Sequence, residues 1–128
     1  MTDQPRVLLI EDDASTAEML SDFLELEGFE LTAMGSALGA ADRVRRERPD
    51  AILLDLQLPY RSGVSLLAEL KATPETASIP VIICSGMIGS LTPARAAQAA
   101  AVLEKPLDLR RLLAAVTAAV TQPERRAG

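Results

Sequence analysis

The sequence predicts a doubly wound α/β fold: a five-stranded parallel sheet with about five helices, in three layers. Two observations carry this. Short apolar runs, five of them, alternate with stretches of helical period along the chain. Each run is followed by a helical stretch long enough to cross back over the sheet, which argues parallel strands joined by right-handed crossovers and covered on both faces. A third observation points to function: acids or a lysine stand directly after three of the runs, and in open α/β sheets that edge is where ligands bind.

The first strand is Arg6–Ile10, RVLLI, which ends in the acids Glu11, Asp12 and Asp13. A helix is expected over 14–27, with Met19, Leu20, Phe23, Leu24 and Leu26 as its apolar stripe and Asp13 as its N-cap. Gly28 followed by Phe29 suits a glycine C-cap with its hydrophobic contact. Residues 29–34, FELTAM, alternate apolar and polar as a second strand, and Ser36 is placed to cap a helix over 37–47 that Pro49 ends. The third strand, Ala51–Leu54, is an unbroken apolar run, as expected of a strand buried on both faces. A helix over 62–72 follows, with Val64, Leu67 and Leu70 facing inward, and then a polar loop over 73–78. Pro80 opens the fourth strand, 81–84. The alanine-rich stretch 87–100 holds a short helix starting near Thr92 and Pro93. Ala101–Glu104 is a short fifth strand, and 107–120 a last helix with Leu109, Leu112, Leu113, Val116 and Val120 at core spacing. Residues 1–122 read as one domain, and 123–128 as a frayed tail or the start of a linker.

Composition excludes several classes of function. The formal net charge is −5, whereas tight nonspecific binding to nucleic acid needs a basic surface. No apolar run approaches membrane-spanning length, and the start has no signal-peptide layout. The single cysteine, Cys84, cannot form an internal disulfide and reads as core packing, so a cytoplasmic location fits best. With no histidine there is neither a Ser-His-Asp triad nor a histidine-ligated metal, and no GxxxxGK[ST] loop occurs. Only Lys71 and Lys105 among thirteen basic side chains are lysine, which makes a lysine directly after a strand worth explaining.

The central stretch is AILLDLQLPYRSG, in which Asp55 follows the third strand. Glu11 and Asp12, Asp55, Ser85 and Lys105 each stand at or just after a strand, so a parallel sheet can bring them to one edge. Three carboxylates in one cleft repel, and one of them titrates high unless a cation joins them. A hard divalent ion such as Mg²⁺ answers that need with oxygen ligands, and an ammonium and a hydroxyl beside it would act as donors to a phosphoryl group. Taken singly these residues mean little. An acid at a strand end is most often a cap, a lone lysine a surface charge, a lone serine a turn residue. Tyr60 and Arg61 read as loop residues beside the site.

Together they resemble the receiver domain of two-component response regulators. The matching residues are Glu11 and Asp12 after strand one, Asp55-Leu56-Gln57-Leu58-Pro59 with Gly63, Ser85-Gly86 after strand four, and Lys105-Pro106 after strand five. The resemblance covers nearly the whole chain, and the 30-residue spacing from Asp55 to Ser85 suits it. It implies strand order 2-1-3-4-5. It implies that Asp55 accepts a phosphoryl group from the phosphohistidine of a sensor histidine kinase or phosphotransfer protein. It further implies that Asp12, Asp55 and the backbone carbonyl of Gln57 bind Mg²⁺, with Mn²⁺ as the alternative, and that Glu11 does so through water. Lys105 would pair with Asp55 and then with the phosphoryl oxygens, the Ser85 hydroxyl would move onto the phosphoryl group, and the Lys105-Pro106 peptide would be cis. The partners implied are the kinase and a downstream output protein or domain, with no direct contact to nucleic acid or membrane, in a monomer or weak dimer.

The chain departs from the family in two places. Three residues before Lys105, where the family usually carries an aromatic or histidine, stands Val102, whose β-branched side chain cannot make the same inward and outward swing. The segment from Ser85 to Lys105 is slightly short, and its helix is built mostly of alanine. The expectation is therefore that segment 86–91 carries the switch. Two other readings stand beside this one. A phosphorylation-independent docking module is compatible with Val102 but has no need of clustered like charges. A magnesium-dependent aspartyl phosphohydrolase would want a second acid where Gln57 stands.

Overall fold

A computed structural model describes residues 4–121, and these form a five-stranded, all-parallel sheet of order β2-β1-β3-β4-β5. The elements in chain order are β1 (Arg6–Ile10), α1 (Ala14–Leu26), β2 (Glu30–Met34), α2 (Ala40–Glu47), β3 (Ala51–Leu54), α3 (Gly63–Ala72), β4 (Val81–Ser85), α4 (Pro93–Ala96), β5 (Ala101–Glu104) and α5 (Leu109–Val120), with a 3₁₀ turn at Ile88–Ser90. Residues 123–128, read from the sequence as a tail, lie outside the described residues.

The three layers follow from strand alternation. Successive side chains on a strand point to opposite faces. Leu8, Ile10, Ile52, Leu54, Val81 and Ile83 therefore join Val44, Leu66, Leu67 and Leu70 of α2 and α3 in one core. Val7, Leu9, Ala51, Leu53, Ile82 and Cys84 join Leu20 and Leu24 of α1 and Leu112 and Val116 of α5 in the other. The central strands are buried on both faces, which is why their sequences are apolar without alternation.

Caps set most helix boundaries. Asp13 accepts the Thr16 N–H at 2.9 Å and starts α1. Ser62 accepts from Ser65 at 3.1 Å, Thr92 from Arg95 at 3.1 Å, and Asp108 from Arg110 at 2.9 Å. Gly28, at φ +100°, ends α1. Its N–H donates to the Glu25 carbonyl and the Phe29 N–H to the Leu24 carbonyl, which places Phe29 in the core.

The structure corrects the sequence reading at several boundaries. Phe29 serves the α1 cap, so β2 begins at Glu30. In α1, Leu20 and Leu24 are buried but Met19 and Leu26 face solvent, because the five apolar residues span a wider arc than the sheet covers. The helix after β2 starts at Ala40 rather than 37. Ser36 accepts the Leu38 N–H in a local turn, and Gly39, at φ +75°, stands at the N-cap instead. In α3 Leu66 is buried and Val64 only partly so. Strand β4 runs one residue further than expected, so Ser85 belongs to the sheet. The helix α5 begins two residues late because Asp108 caps it.

At Gly63 the first turn of α3 lies directly on the chain leaving β3. Its N–H donates to the Leu56 carbonyl at 2.8 Å, and a Cβ built there would sit 2.2 Å from the Asp55 carbonyl oxygen and 2.7 Å from the Leu56 Cα. Backbone atoms cannot rotate away as a side chain would. Gly63→Ala is therefore expected to destabilise the fold by roughly 2–4 kcal/mol, read as a lowered urea midpoint. A midpoint equal to wild type would show that the approach is looser than described.

Candidate functional site

Strand order places the ends of β1, β3, β4 and β5 side by side, and the sheet hydrogen bonding continues past them. The Glu11 N–H donates to the Met34 carbonyl at 2.9 Å, the Asp55 N–H to the Ile10 carbonyl at 3.1 Å, and the Lys105 N–H to the Ser85 carbonyl at 2.9 Å. The backbones of Glu11, Asp55 and Lys105 are thus held by the sheet, although their side chains leave it. Functional groups on such a frame are more precisely placed than groups on free loops.

The side chains of Glu11, Asp55 and Lys105 converge. The Lys105 Nζ lies 2.6 Å from Glu11 Oε1 and 3.2 Å from Asp55 Oδ2. Glu11 and Asp55 are 4% and 6% exposed, while Asp12 is open to solvent. The other oxygen of Glu11 accepts the Asp13 N–H at 3.2 Å, and Asp55 Oδ1 accepts the Gln57 N–H at 3.1 Å. Carboxylate oxygens of Glu11, Asp12 and Asp55 lie within 4.8 Å of one another, close enough for one ion to touch all three. Hard oxygen donors converging on one point, two of them buried, fit a small divalent cation such as Mg²⁺.

Burial pushes the Glu11 carboxyl above its ordinary range, against the opposing pull of the Lys105 hydrogen bond and charge. For Lys105 burial acts to lower the ammonium's pKa, but the hydrogen bond it donates to Glu11 and the charges of Asp55 and Glu11 outweigh it and hold the group above its usual value. Lys105 is therefore a charged ammonium at neutral pH.

Ser85 is fully buried at the end of β4, and its Oγ accepts the Met87 N–H at 3.2 Å. The Lys105-Pro106 peptide is cis. Val102, half-buried on β5, packs against the α2–α3 core and, with Ile88, Pro106 and Arg111, lines a cleft of about 330 Å³. Tyr60 is 86% exposed at φ +71° on the loop after Asp55. Arg61 turns away from the acids and binds Ser65 and Glu69 of α3. Cys84 is buried in the sheet and its thiol is pushed up to about 12 by that burial, so it is an inert core group, as the sequence suggested.

Sequence reasoning gathered these residues at one edge but missed one pairing. It placed Lys105 with Asp55, whereas the shorter contact is to Glu11, ninety-four residues away. Strand-end position is legible in a sequence. The choice between two neighbouring carboxylates depends on side-chain length and direction, for which no pattern exists.

Known proteins agree with this geometry. The family model described as the response regulator receiver domain matches residues 7–117. The transcriptional regulatory protein CseB of Streptomyces coelicolor is 36% identical over 120 residues, which cover 92% of this chain and 50% of that protein. A sensor protein from a Polaromonas species is 30% identical in its crystal structure, with a TM-score of 0.85, covering 92% of this chain and 97% of that one. A putative response regulator from Chloroflexus aurantiacus, 26% identical, superposes with a TM-score of 0.86 over 94% of this chain and all of that one. The chain spans between a quarter and about half the length of the curated relatives it matches. The acid-and-lysine edge, the 2-1-3-4-5 sheet and the match across residues 7–117 lead to one conclusion: the chain belongs to the receiver domain family of two-component response regulators.

Proposed function

We propose that Asp55 is the phosphoacceptor of a signalling switch. The observation that carries this reading is a nearly buried carboxylate at the end of β3 with an ammonium 3.2 Å away and two further acids within reach of the same ion. An Asp55 carboxylate oxygen forms the new bond to phosphorus, the donor's P–N bond breaks, and the electron pair leaves with the imidazole of a phosphohistidine on a kinase or phosphotransfer protein. A carboxylate is a weak nucleophile toward an anionic phosphoryl group, so positive charge beside it matters most. Lys105 supplies that charge. Asp12, Asp55 and the Gln57 carbonyl, with Glu11 through water, would hold Mg²⁺ or Mn²⁺, which when bound neutralises charge on the phosphoryl oxygens. The acidic net charge favours protein partners over nucleic acid for residues 1–122, and a cytoplasmic kinase and a downstream output protein or domain are the partners this chemistry calls for.

The same reading extends to the switch. The Ser85 hydroxyl accepts the Met87 N–H, so moving it onto a phosphoryl group gives up that bond and loosens segment 86–91. Val102 leaves a cleft beside Ile88, which gives that side chain somewhere to go. Val102 also favours the rival reading, docking without phosphorylation, whereas the buried acid and lysine set favours the switch.

Acetyl phosphate with Mg²⁺ is expected to give a single-phosphate adduct in an intact mass, absent in Asp55→Asn. No adduct in the wild-type chain would favour the docking module, and an adduct in Asp55→Asn would move the acceptor elsewhere. Ile88 is the one half-exposed isoleucine, the other five being wholly buried. Its methyl resonance is expected to shift when beryllofluoride, a phosphoryl mimic, is added with Mg²⁺. If it stays in place while resonances around Asp55 move, segment 86–91 does not carry the switch.

A further inference from the structure

The two lysines of the chain are held in opposite ways. Lys105 lies between two carboxylates, at 2.6 and 3.2 Å. Lys71 stands in the last turn of α3, and among the described residues no acid lies within ion-pair distance of it. Its Nζ donates instead to two backbone carbonyls, that of Ala77 at 3.0 Å and that of Ile79 at 2.8 Å. Ile79 is fully buried and leads through Pro80 into β4. The amine therefore closes the connection between α3 and β4, at the opposite end of β4 from the acid-and-lysine edge. Lys71 is half-buried, and burial with no opposite charge to offset it pushes the ammonium's pKa below its ordinary value.

The surroundings suit a neutral amine. Such an amine has two N–H donors and one lone pair. The carbonyls of Ala77 and Ile79 take both donors and leave the lone pair turned away from them. An ammonium has a further N–H, for which the described residues offer no acceptor. We propose that Lys71 is an acylation site, open to small acyl donors such as acyl phosphates and thioesters. The ammonium first gives a proton to water. The nitrogen lone pair then bonds to the acyl carbon, the bond from that carbon to the donor's oxygen or sulfur breaks, and phosphate or thiolate leaves with the electron pair. A second proton passes from the nitrogen to solvent and an amide remains. The amide keeps one N–H, so one of the two carbonyls loses its donor, which loosens the connection into β4. Lys105 is a poor target by the same reasoning, since Glu11 and Asp55 keep its nitrogen an ammonium with no lone pair to offer.

Acetyl phosphate without Mg²⁺ is the probe, and mass spectrometry after proteolysis reads the acetyl groups at each lysine. Rates are divided by that of free Nα-acetyl-lysine in the same solvent. In the folded chain Lys71 is expected to react about tenfold or more faster than Lys105, and about threefold or more faster than it does itself in denaturing urea. A Lys71 that reacts no faster folded than unfolded, or no faster than Lys105, would overturn the site and leave it a shielded clamp of the loop. The urea midpoint gives the second readout. It is expected to fall when the wild-type chain is acetylated and to be unmoved by the same treatment in Lys71→Arg. An equal fall in both would place the effect at another amine. An unchanged midpoint in the acetylated wild type would show that the two carbonyl bonds do not hold the connection. Either result would overturn the loosening.

Discussion

One ammonium holds this end of the molecule together. Two carboxylates are nearly buried within reach of each other, an arrangement that repels and that burial makes worse. Lys105 lies between them at 2.6 and 3.2 Å and makes the cluster tolerable. A buried ion pair is weak evidence of stability, since desolvation cancels much of the attraction. What it buys here is arrangement: acids held close and facing one way.

The rest of the fold serves that arrangement. A parallel sheet with both faces covered has its strand ends on one side, and only that side is free for polar chemistry. Hydrogen bonding that runs one residue past the strands fixes the backbones of Glu11, Asp55 and Lys105 before any side chain is considered. Asp13, next to the acid pair, is spent on capping α1, so the helix starts immediately after the site and carries the chain away from it. Acids that look alike in the sequence thus have separate duties.

Much of this was legible in advance. Buried strands such as Ala51–Leu54 announce themselves because no polar residue can interrupt them, and Asp13, Ser62 and Thr92 mark helix starts because a side-chain oxygen there meets a free N–H. Three features were hidden. Ser36 looked like a cap because a serine that closes a local turn carries the same letter as one that caps a helix, and only Gly39 in a left-handed conformation decides between them. The stripe on α1 was read too wide because periodicity says which residues share an arc, not how far the sheet extends beneath it. The Glu11–Lys105 pairing was hidden for a third reason: it is decided by side-chain reach between groups that share an address.

Gly63 gives the cleft one stiff wall. With α3 seated on the Asp55 carbonyl at a distance no side chain fits, Asp55 and the start of that helix form a single mechanical body. On the opposite wall α4 has four residues, and in segment 86–91 the Met87 N–H donates to the Ser85 hydroxyl. The α3 wall is thus seated backbone on backbone against the residue that ends β3, a fit that one missing methyl group makes possible.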